Sequence, residues 1–242
     1  MKAEQVELSI VIPAYNEEKR ISHCLEEIIK FFKQRGNNFE VIVVDDGSSD
    51  RTLEIVARKV HGVSHQILGN LRNQGKGFSV RKGVLAANGN TILFVDSDLS
   101  TPIEEFDKLQ VALNEGSDIA IGSRATPSSQ VEVHQSCIRE TMGRTFNLFA
   151  QFLAIRGIHD SQCGFKAFKC EAAKSLFRRQ KLTGFCFDAE ILFLSRKMGF
   201  RIKEIGVRWK NSPQSKVRIF RDSVSMLVDL FRIQILHFGE KF

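Results

Sequence analysis

Hydrophobic runs that alternate with helical patterns most constrain how this chain of 242 residues can fold. Residues 8–13 and 40–45 are β-branched runs closed by polar or turn residues, which is typical of buried strands. Between them, apolar residues recur at helical spacing over 21–32, and we expect Asn16 to cap that helix. The pattern predicts a β-α-β unit.

The same alternation continues to residue 121. It predicts strands near 65–69, 91–95 and 118–121, and helices over 76–87 and 103–114. Strands that alternate with helices indicate an α/β fold with a mostly parallel, Rossmann-like sheet and helices on both faces. In such sheets ligands bind beyond the carboxyl ends of the strands.

The alternation stops after residue 124. Residues 125–136 are rich in Ser, Thr and Gln, which predicts a mobile loop that could close over a ligand. The stretches 137–156 and 224–238 then carry many apolar side chains. Two interpretations stay open for them: helices that pack within the domain or a homodimer, and helices that lie on a membrane surface.

This pattern predicts one large domain over 1–220 and an amphipathic, membrane-associating segment over 221–242. Within the domain, we expect 1–124 to bind a nucleotide and 125–220 to bind a second substrate. No apolar run reaches the length of about 18 residues that a membrane-spanning helix needs, and the N-terminus lacks the apolar core of a signal peptide. We therefore expect a cytoplasmic protein. If the two apolar stretches lie on a membrane, it would be peripheral on the cytoplasmic face.

Charge is unevenly distributed along the chain. Residues 1–120 carry 14 Lys and Arg against 18 Asp and Glu, a net charge of −4, whereas 121–242 carry 21 against 10, a net charge of +11. A basic half suits nucleic acid, an anionic membrane or a phosphorylated ligand. The chain lacks the interleaved aromatic and basic residues of common RNA-binding modules, so we expect no nucleic-acid partner.

Two pairs of aspartates follow predicted strands. Asp96 and Asp98 stand two residues apart, so an extended backbone would place both carboxylates on one side. Such oxygen ligands suit Mg²⁺ or Mn²⁺, although a turn without a metal is the alternative. Asp45 and Asp46 precede a helix and could simply cap it, but they end at the same edge of the sheet.

Several short motifs, in this order, together resemble the family 2 glycosyltransferases with the GT-A fold: IPAYNE at 12–17, VVDDGS at 43–48, NQGKG at 73–77, DSD at 96–98 and GSR at 122–124. Further motifs resemble the polyprenyl-phosphate branch, most closely the dolichyl-phosphate β-glucosyltransferases: DSQCGFK at 160–166, FDAE at 187–190 and SKV at 215–217.

The resemblance implies a nucleotide-sugar site built from Pro13, Tyr15, Glu17, Val44, Asp46, Asp96, Ser97, Asp98, Arg124, Lys210 and Lys216. Within it, Asp96 and Asp98 are the implied ligands of Mg²⁺ or Mn²⁺ at the diphosphate. The implied catalytic residues are Asp96, Asp98, Arg124 and Lys166. For Asp188 and Glu190 two roles stay open: orientation of a substrate hydroxyl, and a structural hydrogen bond.

The resemblance further implies an inverting transferase that moves a hexose, expected to be glucose from UDP-glucose, onto a polyprenyl phosphate. The alternatives are a polyprenyl-phosphate mannosyl- or N-acetylhexosaminyltransferase, and a non-catalytic basic protein that binds nucleic acid or membranes. The expected partners are a nucleotide-sugar, a polyprenyl phosphate and an anionic membrane surface, and a homodimer is a further alternative.

Overall fold

A computed structural model describes residues 6–133, 137–153, 155–212 and 219–240, without the side chains of 137–139, 144 and 219–222. The described strands are β1 (Leu8–Ala14), β2 (Phe39–Asp45), β3 (Ser64–Gly69), β4 (Thr91–Val95), β5 (Ile119–Ser123), β6 (Gln130–Val133), β7 (Phe165–Lys169), β8 (Ile202–Gly206) and β9 (Arg208–Lys210). The described helices are α1 (Ile21–Gln34), α2 (Thr52–Lys59), α3 (Lys76–Ala86), α4 (Phe106–Asn114), α5 (Cys137–Leu153), α6 (Cys170–Arg179), α7 (Phe187–Lys197) and α8 (Ile219–Leu236).

The strands form a seven-stranded sheet in the order β3-β2-β1-β4-β7-β5-β8. Strand β7 runs antiparallel to β4 and β5, and the other pairs of this sheet are parallel. Strand side chains alternate between the two faces. Val11 and Val44 therefore join a core under α3 and α5–α8, whereas Ile10 and Val43 join a core under α1, α2 and α4. The predicted α/β class is confirmed.

The start of α1 differs from the prediction. Arg20, not Asn16, occupies the N-cap position, and its side chain makes no capping hydrogen bond. Asn16 adopts a left-handed backbone conformation with φ of 53°, and its side-chain oxygen accepts a hydrogen bond from the Ser49 N–H at 2.8 Å. Asn16 therefore ties the end of β1 to the loop after β2, and its predicted capping role is wrong.

The segment predicted as a loop over 125–136 contains a strand. Residues of β6 pair in parallel with β9, and residues 134–136 lie outside the described part of the chain. The pairing needs a strand some 80 residues further on, so local composition gave no sign of it. The structure therefore corrects the prediction of an unstructured connection at 130–133.

The two apolar stretches of the second half form α5 and α8, which pack against each other. Leu230 and Ile233 of α8 are buried in the core, while Val228 and Phe231 on the other side of the helix are exposed. Helix α8 is thus amphipathic and attached to the domain along one face. Neither α8 nor any other described helix combines the length and hydrophobicity that crossing a bilayer demands.

Candidate active site

The carboxyl ends of β1, β2 and β4 border a cavity of ≈ 440 Å³, which we call the strand-end cavity. Because β1 and β2 are parallel and in register, Ala14 lies opposite Asp45 and both strands end at one height. Many of the residues that the sequence assigned to the nucleotide-sugar site line this cavity: Pro13, Tyr15, Glu17, Asp46, Asp96, Ser97 and Asp98.

Asp46 fixes one wall of the strand-end cavity. Its buried carboxylate accepts hydrogen bonds from the Asn70 side chain at 2.8 Å and from the backbone N–H groups of Gln74 and Gly75, both at 2.9 Å. A buried carboxylate must find such partners to remain inside the protein. Asp46 therefore holds the loop that leads into α3 against the end of β2.

Arg20 crosses the other side of the strand-end cavity. Glu17 accepts two hydrogen bonds from its guanidinium group, at 2.7 and 2.6 Å, and the Ser212 hydroxyl accepts a third at 2.8 Å. Nη1 of Arg20 also lies 3.7 Å from Asp98 Oδ2. Burial alone would lower the pKa of Arg20, but Glu17 and Asp98 raise it, so a fixed positive charge faces Asp98.

Asp96 is paired with Lys76 at the floor of the cavity. Lys76 Nζ lies 2.8 Å from Oδ1 and 3.0 Å from Oδ2 of Asp96. Burial would lower the pKa of Lys76, but the carboxylates of Asp96 and Asp188 raise it. Gly164 makes room for Asp96, because a Cβ at that position would lie only 1.9 Å from Asp96 Oδ2.

Asp96 and Asp98 together form a donor set that fits a divalent cation. Both carboxylates line the cavity, and Asp98 has one oxygen engaged with the Ser100 N–H at 3.0 Å. Across the described residues, no group of three or more His, Cys, Asp or Glu side chains is placed to hold a metal. Mg²⁺ commonly uses one or two carboxylates and takes its other ligands from water and substrate phosphates, so two are sufficient.

A second cavity of ≈ 240 Å³, the helix-side cavity, adjoins the first. The two cavities share Lys76, Asp96, Asp98 and Phe185 in their walls. Beyond that shared wall, the helix-side cavity has an apolar side made by α5 and α8, with Met142, Phe146 and Met226, and a cationic side with Arg124 and Trp209. The residues around the strand-end cavity are therefore mainly polar or charged, whereas the helix-side cavity adds a positive charge and a wall of Met and Phe side chains.

Arg124 is held firmly in the helix-side cavity. Its Nε and Nη2 donate to the two oxygens of Asp160 at 2.7 and 2.8 Å, and its backbone N–H donates to Oδ2 at 2.9 Å. Burial would raise the pKa of Asp160, but Arg124 lowers it to about 2. The guanidinium carbon also lies 5.3 Å from the centre of the Trp209 ring, a cation–π distance.

Comparisons with known proteins place this geometry in a family. Residues 9–177 match the model of glycosyl transferase family 2. The chain is a family 2 glycosyltransferase. It is 37% identical over 244 residues to a dolichyl-phosphate β-glucosyltransferase of Trichomonas vaginalis, covering 96% of this chain and 74% of that protein. It is 36% identical over 244 residues to a dolichyl-phosphate β-glucosyltransferase of Drosophila melanogaster, covering 95% and 75%.

The fold of this glycosyltransferase is also that of solved enzymes. Glucosyl-3-phosphoglycerate synthase from Mycobacterium tuberculosis, in complex with Mn²⁺, uridine diphosphate and phosphoglyceric acid, superposes with a TM-score of 0.66 at 19% identity. The match covers 98% of this chain and 80% of that one. This similarity confirms the predicted GT-A fold.

Three of the predicted site residues that the structure describes do not line either cavity. Val44 is buried in the core under α3, because side chains on β2 alternate between faces. Lys166 is buried and donates to Asp188 and to the Cys163 carbonyl, both at 2.6 Å. Lys210 is exposed on β9, and Lys216 lies outside the described residues.

Asp188 and Glu190 make structural hydrogen bonds in the glycosyltransferase. Asp188 accepts from Lys166, as one of the two open interpretations expected. Glu190 accepts from the backbone N–H groups of Lys181 and Leu182 at 2.8 and 2.9 Å and pairs with His237 Nε2 at 2.7 Å. Glu190 thus connects α7 to the end of α8.

Two residues that the sequence analysis did not select have prominent positions in this glycosyltransferase. Arg20 and Lys76 each place a cation beside one of the two aspartates of the strand-end cavity. A sequence signal existed for Arg20, since Glu17 stands three residues before it and can pair with it within one helical turn. Lys76 lies in the NQGKG motif, but only the fold brings it to Asp96.

Proposed function

We propose that the enzyme transfers glucose from UDP-glucose to a polyprenyl phosphate, with inversion at the anomeric carbon. The observation that carries the proposal is the shared wall between the cavities, where Lys76, Asp96 and Asp98 stand between a cavity lined mainly by polar and charged residues and one with a wall of Met and Phe side chains. A nucleotide-sugar suits the first cavity, and a lipid phosphate suits the second. The names of the relatives in Trichomonas and Drosophila, dolichyl-phosphate β-glucosyltransferases, favour a glucosyl group and a polyprenyl phosphate acceptor.

In the proposed complex, the nucleotide occupies the strand-end cavity between Tyr15 and Asp46, and the diphosphate points toward Asp96 and Asp98. Arg20 and Lys76 supply positive charge beside those two carboxylates. A divalent cation held by Asp96 and Asp98 would neutralise charge on the leaving diphosphate. The sugar then lies near the shared wall, within reach of a ligand in the helix-side cavity.

The acceptor phosphate lies beside Arg124 in this proposal, and its isoprenoid chain follows Met142, Phe146 and Met226. An oxygen of that phosphate attacks the anomeric carbon while the bond from this carbon to the β-phosphate oxygen breaks, and UDP leaves. The attacking oxygen is already anionic near neutral pH, so no strong general base is required. Fixed cations that reduce the repulsion between the two phosphate groups are the main requirement.

A membrane location follows from the proposed acceptor. Helices α5 and α8 line the helix-side cavity with their inner faces, and their outer faces carry exposed Phe152, Val228, Phe231 and Ile235. Amphipathic helices of this kind can lie in the plane of a membrane surface. We therefore place the enzyme at the cytoplasmic face of the membrane, where the lipid can enter from the bilayer.

The test is a set of parallel reactions with radiolabelled UDP-glucose, GDP-mannose and UDP-N-acetylglucosamine, each with a polyprenyl phosphate and Mn²⁺. Thin-layer separation should show a labelled lipid with UDP-glucose alone, and its glycosidic bond should have the β configuration. A product from one of the other donors would assign the enzyme to that sugar instead. An α-linked product would contradict inversion, and the absence of any lipid product would contradict the proposal.

A further inference from the structure

A groove of ≈ 340 Å³ lies at the end of α5, away from both cavities of the active site. It is formed where the end of α5 meets α7, and none of its residues lines the strand-end or the helix-side cavity. Its walls are Gln151, Phe152, Leu153, Arg156, Phe193, Arg196 and Lys197. The groove therefore combines cationic side chains with an apolar floor.

The three cations of the groove have no acidic partner. Arg156, Arg196 and Lys197 are exposed, and within the described part of the chain none of them forms an ion pair. The Arg196 guanidinium donates to the Arg156 carbonyl, which keeps these two residues together. Lys197 Nζ lies 5.6 Å from the centre of the Phe193 ring. Positive charges held close together without a counter-ion attract an anion of high charge density.

The groove is continuous with the apolar outer face of α5 and α8. Phe152 belongs to both, since it lines the groove and is 87% exposed. The Gln234 side chain of α8 donates to the Leu153 carbonyl, which joins the two helices at the groove. The exposed apolar side chains along this face are Leu148, Phe149, Phe152, Val224, Val228, Phe231, Ile235 and Phe238.

We propose that Arg156, Arg196 and Lys197 bind the phosphate headgroup of an anionic membrane lipid, while the adjoining apolar face enters the interface. The charge of the groove is complementary to an anionic headgroup, and an exposed aromatic side chain such as Phe152 suits the boundary between headgroups and acyl chains. Guanidinium groups also match phosphate oxygens with paired hydrogen bonds. This inference rests on the membrane location of the proposed function and adds a binding site for a lipid that is not the substrate.

The site would orient the enzyme as well as retain it. With the groove and the apolar face against the bilayer, the helix-side cavity opens between the two helices that touch the lipid, because α5 and α8 supply Met142, Phe146 and Met226 to that cavity. The isoprenoid chain could then stay among apolar side chains while its phosphate reaches Arg124.

The experiment compares binding of the full chain to vesicles of phosphatidylcholine alone and to vesicles with about a third phosphatidylglycerol. The test variant is R156Q/K197Q, which removes two exposed charges and keeps the Arg196 bond to the Arg156 carbonyl. The matched control is K30Q/K33Q, which removes two exposed charges from α1 on the opposite face of the sheet. We expect R156Q/K197Q to bind the anionic vesicles roughly tenfold more weakly, and the control to bind them like the wild type.

Further measurements separate this inference from its rivals. Turnover with a short-chain, water-soluble polyprenyl phosphate should be unchanged in R156Q/K197Q. This assay needs no membrane, so it tests the proposed reaction separately from lipid binding at the groove. Equal binding of wild type and R156Q/K197Q to anionic vesicles would overturn the inference. Binding of glycerol phosphate by a wild type that shows no preference for anionic vesicles would also overturn it, because it would indicate a site for free phosphates. A wild-type dimer in sedimentation that F152S/F231S converts to monomer would also overturn it, by assigning the face to a second copy.

Discussion

Two lysine–aspartate pairs of this enzyme have nearly the same chemistry and opposite surroundings. The pair Lys76–Asp96 faces both cavities, with side chains that are 20% and 32% exposed. The pair Lys166–Asp188 is closed inside the protein, with both side chains at 2%. Burial raises the pKa of Asp188 even though Lys166 and Lys76 oppose that shift. The first pair can exchange partners when a ligand enters, whereas separating the second would leave a charge in the interior.

The comparison separates two motif lysines by their surroundings. The resemblance implies a catalytic role for Lys166, which in the structure is buried and connects β7 to α7 through Asp188. Lys76 was not selected, yet it lies between the two substrates of the proposed reaction. Exposure to the cavity, rather than membership of a motif, distinguishes them.

The largest effect is expected for Asp98→Asn. Asp98 lines the strand-end cavity together with the exposed pair Lys76–Asp96. Loss of one carboxylate from the site that Asp96 and Asp98 form should reduce turnover by at least about a thousandfold, since metal and charge stabilisation dominate this chemistry. Binding of Mn²⁺ together with UDP, measured by calorimetry, should be lost as well. Asp107→Asn on α4, whose side chain is 46% exposed, is the matched control and should leave both unchanged. Near-normal turnover of Asp98→Asn would refute the metal assignment.

The next largest effect is a loss of stability when the buried pair Lys166–Asp188 is broken. Lys166→Met leaves Asp188 buried without its partner, so the free energy of unfolding should fall by about 3–5 kcal/mol, as is usual for a broken buried pair. The double variant K166M/D188L removes both charges and should recover much of the loss. Urea unfolding measures all three proteins. If Lys166→Met were as stable as the wild type but inactive, Lys166 would have a direct role in the reaction.

The first half of the site could be predicted from sequence because parallel strands end at the same edge. That rule predicts that Asp46, Asp96 and Asp98 meet at one edge, and all three line the strand-end cavity. Val44, which only the resemblance assigned to the nucleotide-sugar site, lies in the core instead, although it precedes Asp45 directly. The alternation of side chains along β2 turns Val44 into the core, and a motif does not show which of its residues face inward.

The second half of the site was less predictable because distant segments build it. The helix-side cavity needs α5, α8, β9 and the loop before β7, and no local pattern states that these meet. Strand β7 also reverses direction within an otherwise parallel sheet, which the alternation of strands and helices does not predict. Beyond the shared wall, the described part of this cavity contains one predicted site residue, Arg124, and its hydrogen bonds to Asp160 are a feature of the fold that the sequence pattern does not predict.

A third prediction tests whether the partly exposed pair Lys76–Asp96 takes part in the reaction. Lys76→Met should lower turnover about 10- to 100-fold, chiefly through kcat, because a charge next to both phosphate groups is lost. Its free energy of unfolding should change by less than about 1 kcal/mol, since water can replace Lys76 at a partly exposed carboxylate. Lys76→Arg keeps the charge and should recover part of the activity, whereas Lys30→Met on α1 should have no effect on kcat. A large loss of stability with unchanged kcat would mean that Lys76 stabilises the fold and takes no part in the reaction.

The smallest effect is expected for the Arg124–Asp160 pair. This pair is intermediate in exposure between the two lysine–aspartate pairs, since Asp160 is buried while Arg124 faces the helix-side cavity. Arg124 and several hydrogen bonds lower the pKa of Asp160 to about 2, whereas an aspartate in the unfolded chain titrates near 4. The depressed pKa therefore adds stability above about pH 4, roughly 2 kcal/mol, and this contribution is lost as the pH falls from about 4 to 2. Urea unfolding of Asp160→Asn should show the deficit at pH 7 and a smaller one at pH 3. A deficit that stays constant with pH would mean that packing, and not the charge of Asp160, stabilises this pair.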